Sequence, residues 1–138
     1  MKKRVLFLCT HNSCRSQMAE GIVNHDLGDR FDAFSAGTEA TAVNARAIEI
    51  LKEIGIDISG HRSKVLGEFD GQQFDYVITL CGDANDKCPL FFGGVQRTHI
   101  GFSDPSRLKE GTDAEIMREF RKVRDEIRVK LTEFLTKP

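Results

Sequence analysis

The sequence predicts an α/β fold: a three-layer domain with a four-stranded parallel sheet and helices on both faces. Two observations carry this prediction. Short apolar runs of strand length alternate along the chain with segments whose apolar residues recur at helical spacing. In addition, 138 residues with 40% hydrophobic side chains suit one domain around one core. We therefore interpret residues 1–138 as a single domain.

Each predicted element has its own signal. The strands are predicted at residues 4–9, 31–35, 74–80 and 98–102, and the first two helices at residues 16–27 and 44–54. Gly28 suits the C-terminal end of the first helix, and Gly55 ends the second. Thr112 and Glu115 form a capping-box pattern at the start of the last helix. The apolar stripe of that helix recurs at steps of three and four: Ile116, Phe120, Val123, Ile127, Leu131 and Phe134.

The charge pattern and the N-terminal residues indicate which partners and which compartment to expect. The 20 basic and 21 acidic residues are interspersed, with a net charge of -1, so we expect neither a nucleic-acid nor a membrane partner. The apolar run from Val5 to Cys9 is shorter than the roughly 7–15 residues of a signal-peptide core. We therefore expect a cytoplasmic protein. In that compartment its four cysteines are reduced at rest, and they are catalytic or metal-binding rather than structural.

The first candidate site is an anion cradle around a thiol. Between the first strand and the first helix, a C-x5-R-S pattern consists of Cys9, Thr10, His11, Asn12, Ser13, Cys14, Arg15 and Ser16. Backbone N–H groups of such a loop converge, and the helix start adds a positive dipole end. We expect residues 10–16 to bind a tetrahedral oxyanion, with Arg15 clamping two of its oxygens. The same field favours a nucleophilic thiolate at Cys9, with Ser16 donating to its sulfur, whereas the Cys14 thiol has no required role.

The second candidate is an acid. Asp104 follows the fourth predicted strand, and the carboxyl ends of parallel strands meet at one edge of the sheet, so Asp104 should lie at the same edge as Cys9. A carboxylic acid there can protonate a leaving oxygen. An aspartate before Pro105 is equally typical of a turn, and the local sequence leaves both interpretations open.

The third candidate is the pair Cys81 and Cys88, a C-x6-C pattern that begins directly after the third strand. A structural zinc site needs a second pair of ligands. If residues 82–87 were helical, the two Cα atoms would lie ~10 Å apart, whereas a disulfide needs less than about 7 Å. The segment must then unwind for the two to join, which its poor helix formers make easy. Two unrelated buried thiols are the alternative.

Taken together, these motifs resemble the thioredoxin-coupled arsenate reductases, which share the low molecular weight protein tyrosine phosphatase fold. The resemblance runs nearly end to end and is strongest in residues 9–21, 35–37, 56–61, 77–81, 88–89 and 101–105. It maps the three redox cysteines of that family onto Cys9, Cys81 and Cys88. It maps the anion-binding arginine onto Arg15 and the acid onto Asp104.

The resemblance also implies a mechanism. Cys9 attacks arsenate, Cys81 then attacks Cys9 and releases arsenite, and Cys88 attacks Cys81 to carry the disulfide outward. Thioredoxin reduces the final Cys81–Cys88 bond by thiol–disulfide exchange. We therefore expect arsenate as substrate, thioredoxin as reductant, no bound metal or other cofactor, and a monomer.

One position departs from the pattern. Some members of the resembled family bind a monovalent cation through residues that correspond to Asn12, Glu20, Ser35 and a later acidic residue. Here the acidic position is Lys64. We expect its ammonium group to fold inward toward Glu20 and to replace the cation, with a solvated surface lysine as the alternative.

Two other functions compete with arsenate reduction. A protein tyrosine phosphatase needs only Cys9, Arg15 and Asp104, but that branch typically resembles Asp-Pro-Tyr at the acid loop, where this chain has Ser106. We expect weak phosphatase activity as a by-product. A thiol-based arsenite or metal sensor is the other rival, since soft metals prefer thiolates. An anion cradle lined by an arginine does not favour a metal sensor. We assign no functional role to His25 or His99.

Overall fold

The computed structural model describes residues 2–81, 94–107 and 110–137, with the backbone alone for residues 81 and 107. The strands are β1 (Lys3–Cys9), β2 (Phe31–Gly37), β3 (Phe74–Cys81) and β4 (Gly94–Phe102). The α-helices are α1 (Arg15–Asp26), α2 (Ala45–Lys52) and α3 (Asp113–Leu135), and two short 3-10 helices cover Leu66–Phe69 and Pro105–Arg107.

The four strands form one parallel sheet in the order β2-β1-β3-β4, which confirms the predicted α/β fold with a four-stranded parallel sheet. Cys9 pairs with Gly37 of β2, and one strand further along the sheet Cys81 pairs with Phe102 of β4. The carboxyl ends of all four strands therefore lie along one edge. That edge carries the loops in which the candidate site residues were predicted.

The sheet separates two apolar clusters, because successive side chains of a strand point to opposite faces. Val5 and Phe7 face the larger cluster, which includes residues of α1, α2 and α3. Leu6 and Leu8 face a smaller cluster on the other side, where the 3-10 helix Leu66–Phe69 contributes Phe69. The β1 side chains from residue 5 to residue 8 are completely buried, as expected for a central parallel strand.

The strand boundaries differ from the predicted ones for a physical reason. β2 continues two residues beyond the predicted end, because Gly37 still pairs with Cys9 of β1. β4 begins four residues earlier than predicted. Its first residues pair with β3 from Gly94 onward, but most of them are exposed polar or small residues. Such residues carry no apolar signal, so the sequence does not reveal this part of the strand.

Local contacts cap the helix ends, including the capping box that the sequence predicts for the last helix. The side chain of Asn44 caps α2, accepting hydrogen bonds from the backbone N–H groups of Arg46 (2.8 Å) and Ala47 (3.2 Å). Gly55, just beyond this helix, has φ +82°, a conformation that favours glycine. At the start of α3, the predicted capping box is present between Thr112 and Glu115. Five of the six predicted stripe residues are buried, and the sixth packs against the larger cluster. Among the described helices, none is long and apolar enough to cross a membrane.

Candidate active site

Residues 10–14 form the loop between β1 and α1, called the β1–α1 loop below. Asn12 has φ +50°, in the left-handed region that asparagine tolerates better than most residues. Within the described part of the chain, the backbone N–H groups of residues 11–14 donate no hydrogen bond to another residue. These groups, together with the N-terminus of α1, are therefore available to an anion.

The close packing of the loop against β2 depends on one glycine. A Cβ atom on Gly37 would lie 2.6 Å from the carbonyl oxygen of Thr10 and 2.8 Å from the backbone nitrogen of Asn12. Both distances are far inside van der Waals contact, and both atoms belong to the backbone, which cannot rotate away. Gly37 therefore lets the loop lie directly against the end of β2.

Cys9 lies at the base of the loop with its thiol beside a hydroxyl group. Its Sγ atom is 2.8 Å from Oγ of Ser16, the partner that the sequence predicted. The Cys9 side chain is only 3% exposed, and Ser16 is completely buried. If Ser16 donates this hydrogen bond, it stabilises negative charge on the sulfur and so favours the nucleophilic form.

Arg15 joins the loop to the end of β4. Its Nη1 donates to the backbone oxygen of Phe102 at 3.1 Å, and its Nη2 lies 3.6 Å from Oδ2 of Asp104. The side chains of Arg15 and Asp104 are 3% and 10% exposed, so water screens this pair of charges weakly. The predicted acid therefore lies beside the predicted anion-binding guanidinium.

The Asp104 carboxyl group is held by the residue two positions later. Oδ1 accepts hydrogen bonds from the backbone N–H of Ser106 at 3.0 Å and from its hydroxyl group at 2.6 Å. The same contacts turn the chain into the 3-10 helix Pro105–Arg107. The structure thus shows the turn contacts of Asp104, and its role as an acid stays a prediction.

Asn12 connects the loop to two distant segments. Its Nδ2 donates to Ser16 Oγ at 2.8 Å, and its Oδ1 accepts from the backbone N–H of Lys64 at 2.8 Å and from Nε2 of Gln17 at 2.9 Å. Gln17 also donates to the backbone oxygen of Arg62 at 3.0 Å. Nothing in the sequence marks Gln17 as a site residue, because its partners lie up to 45 positions away and leave no local pattern.

Behind Asn12, three donor groups face the carboxylate of Glu20. It accepts from Ser35 Oγ at 2.8 Å, lies 3.4 Å from Lys64 Nζ and 3.1 Å from Nδ1 of His61. Nδ1 of His61 also faces the carbonyl oxygen of the Gln17 side chain at 3.0 Å. Because both of these partners are acceptors, Nδ1 carries a proton.

The expected inward orientation of Lys64 is confirmed. Its side chain is 13% exposed, and Glu20 is 11% exposed, so the pair is largely removed from water. Lys64 Nζ also donates to the backbone oxygen of Arg62 at 3.1 Å. The alternative, a lysine in solvent, does not describe this structure.

Cys14 is buried at the start of α1. Burial raises the pKa of its thiol well above the ordinary value of 9.0, and the charges of Asp104 and Cys9 raise it further, while Arg15 opposes the change. Cys14 is therefore a neutral thiol at physiological pH. This state agrees with the expectation that it has no required chemical role.

The other two cysteines of the predicted relay are described only in part. The backbone of Cys81 ends β3 at the same edge of the sheet as Cys9, next to β1. Cys88, and with it the distance between the two relay cysteines, lies outside the described residues. The relay therefore stays a prediction from the sequence.

Residues 4–137 match the family model described as low molecular weight phosphotyrosine protein phosphatase. The chain belongs to this family, which confirms the fold that the resemblance predicted. Within the family, its relatives include arsenate reductases. One from Halalkalibacterium halodurans is 50% identical over 133 residues, covering 96% of this chain and 95% of the relative. One from Bacillus subtilis is 49% identical over 132 residues, covering 96% of this chain and 94% of the relative.

Solved structures of arsenate reductases are also similar to this chain. A structure described as an arsenate reductase in the phosphate binding state superposes with a TM-score of 0.80 at 33% identity, covering 97% of this chain and 96% of the other. A thioredoxin-dependent arsenate reductase from Corynebacterium glutamicum has a TM-score of 0.64 at 27% identity, covering 99% of this chain and 64% of the other. The resemblance to arsenate reductases of this fold is thereby confirmed.

Proposed function

We propose that this protein is an arsenate reductase that uses Cys9 as its nucleophile and is recycled by thioredoxin. One observation carries the proposal: the buried Cys9 thiol lies 2.8 Å from Ser16 Oγ, at the base of a loop whose N–H groups are available to an anion. This geometry suits attack on a tetrahedral oxyanion. The arsenate reductases among the relatives support arsenate as that oxyanion.

In the first step, the Cys9 thiolate attacks the arsenic atom of arsenate. Arg15 and the N–H groups of residues 11–14 hold the oxygens and stabilise the negative charge that develops on them. Asp104 gives a proton to the departing oxygen, which leaves as water. The product is a covalent Cys9–arsenic(V) adduct.

In the second step, the Cys81 thiolate attacks the sulfur of that adduct. The electron pair of the sulfur–arsenic bond goes to arsenic, which leaves as arsenite, and a Cys9–Cys81 disulfide forms. Cys88 then attacks Cys81, freeing Cys9. Thioredoxin reduces the Cys81–Cys88 disulfide. The position of Cys81 supports this role, because Cys81 ends β3 at the same edge of the sheet as Cys9, on the neighbouring strand.

Thioredoxin as reductant is supported by the thioredoxin-dependent relative of the same fold. The relay needs free thiols at rest, a condition that a reducing cytoplasm provides. The mechanism requires one chain only, so we propose that the protein acts as a monomer.

A protein tyrosine phosphatase is the second candidate, because the family description names that activity and Cys9, Arg15 and Asp104 suffice for it. In that case water, rather than Cys81, would attack the covalent adduct. Two sequence features favour the reductase: Ser106 offers no aromatic ring to a phosphotyrosine, and a hydrolase has no need of Cys81 and Cys88.

The deciding experiment measures arsenite release from arsenate by the purified protein with a thioredoxin system and NADPH. We expect repeated turnover that stops when thioredoxin is omitted. Cys9→Ser is the control and should release no arsenite. Hydrolysis of phosphotyrosine without any arsenite release would instead identify the protein as a phosphatase.

A further inference from the structure

Four peptide groups of the β1–α1 loop are held from outside the loop. Each carbonyl oxygen of residues 10–13 accepts a hydrogen bond from a group beyond it. In chain order, the donors are the backbone N–H of Glu39 (3.1 Å), the hydroxyl group of Ser63 (3.0 Å), Nε2 of Gln17 (3.1 Å) and the backbone N–H of Asn44 (2.8 Å). These peptide bonds are trans, so each C=O group and the N–H group that follows it point in opposite directions. The N–H groups of residues 11–14 therefore point away from the four donors and stay available to an anion.

The hydroxyl group of Ser63 joins the β1–α1 loop to the segment that follows β2. Its Oγ donates to the carbonyl oxygen of His11 at 3.0 Å and accepts the backbone N–H of Thr41 at 2.9 Å. These roles are unambiguous, because a carbonyl group can only accept and a backbone N–H can only donate. The hydroxyl group of Thr41 also lies near the His11 oxygen, but 3.5 Å is long for an O–H···O bond. Within the described residues, Ser63 thus provides the main hydrogen bond that orients the His11–Asn12 peptide.

The peptide group that Ser63 holds leads into a residue with an unusual backbone conformation. Asn12 has φ +50°, in a sparsely populated region that persists where surrounding contacts impose it. Without a donor for the His11 oxygen, this peptide group could tilt toward a more relaxed geometry. The tilt would turn the Asn12 N–H away from a bound anion and bring a carbonyl oxygen closer, which an anion repels.

We infer that Ser63 is a positioning residue for the anion site, and that its hydroxyl group keeps the N–H of Asn12 directed at the oxyanion. The inference rests on the anion site of the proposed function. Ser63 bonds the outer side of the peptide group whose inner side would bind the anion. It therefore acts through the backbone of the loop and not by contact with the substrate.

The ordinary explanation is that Ser63 only links two surface segments and so contributes to stability. In that case, removing the hydroxyl group would lower the free energy of unfolding but leave the oxyanion affinity of the folded protein unchanged. A positioning role instead predicts weaker oxyanion binding by a protein that is still folded. Separate measurements of affinity and stability therefore distinguish the two explanations.

The test measures the Kd of sulfate, which binds without reacting, by isothermal titration calorimetry of the reduced protein. Ser63→Ala should raise the Kd about ten-fold, because a hydrogen bond to a charged group is weakened. Ser63→Thr keeps the donor and should stay within about two-fold of the unmodified protein. Ser63→Val has the shape of the threonine variant without its hydroxyl group and should resemble Ser63→Ala. Ser59→Ala, which changes an exposed serine in the same segment, is the matched control. Denaturant unfolding without sulfate checks that each variant is folded.

Amide NMR identifies the peptide group through which Ser63 acts. In the unmodified protein, sulfate should shift the amide signals of residues 11–14. In Ser63→Ala, the shift of the Asn12 signal should decrease most, because the peptide groups before Ser13 and Cys14 keep their own donors. The inference is overturned by an equal Kd for Ser63→Ala and the unmodified protein, by an equal Kd for Ser63→Val and Ser63→Thr, or by an unchanged shift of the Asn12 signal.

Failure of the proposed function gives a different result, because sulfate binding requires no turnover. If the protein releases no arsenite but the variants bind sulfate in the expected order, the proposed reductase function is wrong and the inference holds. If the unmodified protein binds no sulfate, the anion site and the inference are overturned together.

Discussion

The ammonium group of Lys64 lies 3.4 Å from Oε1 of Glu20, although the two residues are 44 positions apart in the sequence. The same carboxylate accepts from Ser35 and faces His61. Lys64 also supplies the backbone N–H that holds the side chain of Asn12 in the β1–α1 loop. One residue thus contributes both a charge behind the loop and a hydrogen bond to it.

We therefore predict that this protein needs no bound potassium to order its loop. Its activity should respond equally to potassium and sodium chloride at matched ionic strength. Lys64→Ala should lower the free energy of unfolding by about 1–3 kcal/mol, because it removes a donor from a largely buried carboxylate. Lys64→Asp should create a response to potassium that the unmodified protein lacks. Denaturant unfolding and initial rates in the two salts measure these effects.

Lys122→Ala is the control for this experiment, since that lysine is exposed on α3 and its loss should change little. Strong potassium activation of the unmodified protein would contradict the prediction. Equal stability of the Lys64→Ala and Lys122→Ala variants would show that the buried ion pair contributes nothing.

Sulfate, phosphate or arsenate should stabilise the reduced protein, because the N–H groups of residues 11–14 gain an anionic partner only in the folded state. A ligand at a hundred-fold excess over its Kd adds about 2.7 kcal/mol to the free energy of unfolding. Thermal unfolding in sulfate, compared with chloride at the same ionic strength, measures the effect. The Arg15→Lys variant keeps the positive charge but lacks the planar guanidinium group. Sulfate should therefore raise its unfolding midpoint less than that of the unmodified protein. An unchanged midpoint of the unmodified protein in sulfate would argue against an anion site here.

Asp104→Ala should slow arsenate reduction by roughly the 10²–10⁴-fold typical of general acids, with a smaller effect on oxyanion binding. Asp104→Asn keeps the shape and loses the proton, so it should be similarly slow. Rapid-quench measurement of the first turnover, at saturating arsenate, isolates the chemical step. A first-turnover rate equal to that of the unmodified protein would leave Asp104 with its turn role alone.

Cys88→Ser should complete one turnover and then stop, because Cys81 can still attack Cys9 but no thiol remains to carry the disulfide outward. Mass spectrometry of the arsenate-treated variant should find a peptide pair joined through Cys9 and Cys81. Thioredoxin alone should not restore activity. Repeated turnover by this variant with thioredoxin would exclude the proposed relay.

The stability of the protein should fall above pH 9 partly because of Cys14. Its pKa is raised in the folded state, so the unfolded chain loses this proton first, near the ordinary value of 9.0. Between that value and the higher folded one, the folded state binds one more proton than the unfolded state, and the free energy of unfolding decreases as pH rises. The decrease is at most about 1.4 kcal/mol per pH unit from this group.

Cys14→Ala removes this contribution. Denaturant unfolding at pH 7, 9 and 10 under reducing conditions should therefore show a shallower alkaline decline for the variant than for the unmodified protein. Parallel pH profiles of the two proteins would mean that Cys14 ionises alike in the folded and unfolded states.

The sequence predicted those features whose signal is local. The capping box of α3 needs only Thr112 and Glu115, three positions apart, and the C-x5-R-S pattern places Cys9, Arg15 and Ser16 in one loop. Gln17 and His61 hold that loop through contacts across more than 40 positions, and such contacts leave no periodic trace in the sequence. The sequence also could not decide whether Asp104 is an acid or a turn residue, because its backbone position suits both.

Gly37 shows that the shape of the site depends on a residue outside the β1–α1 loop. This residue would not contact a bound oxyanion through a side chain, since it has none. Its missing Cβ atom instead allows the carbonyl oxygen of Thr10 and the nitrogen of Asn12 to approach the end of β2. A substitution here would push the loop away from the sheet and displace its N–H groups, while every residue in the C-x5-R-S pattern stayed intact. A search for loss-of-function variants confined to that pattern would miss a position that shapes the site from the neighbouring strand.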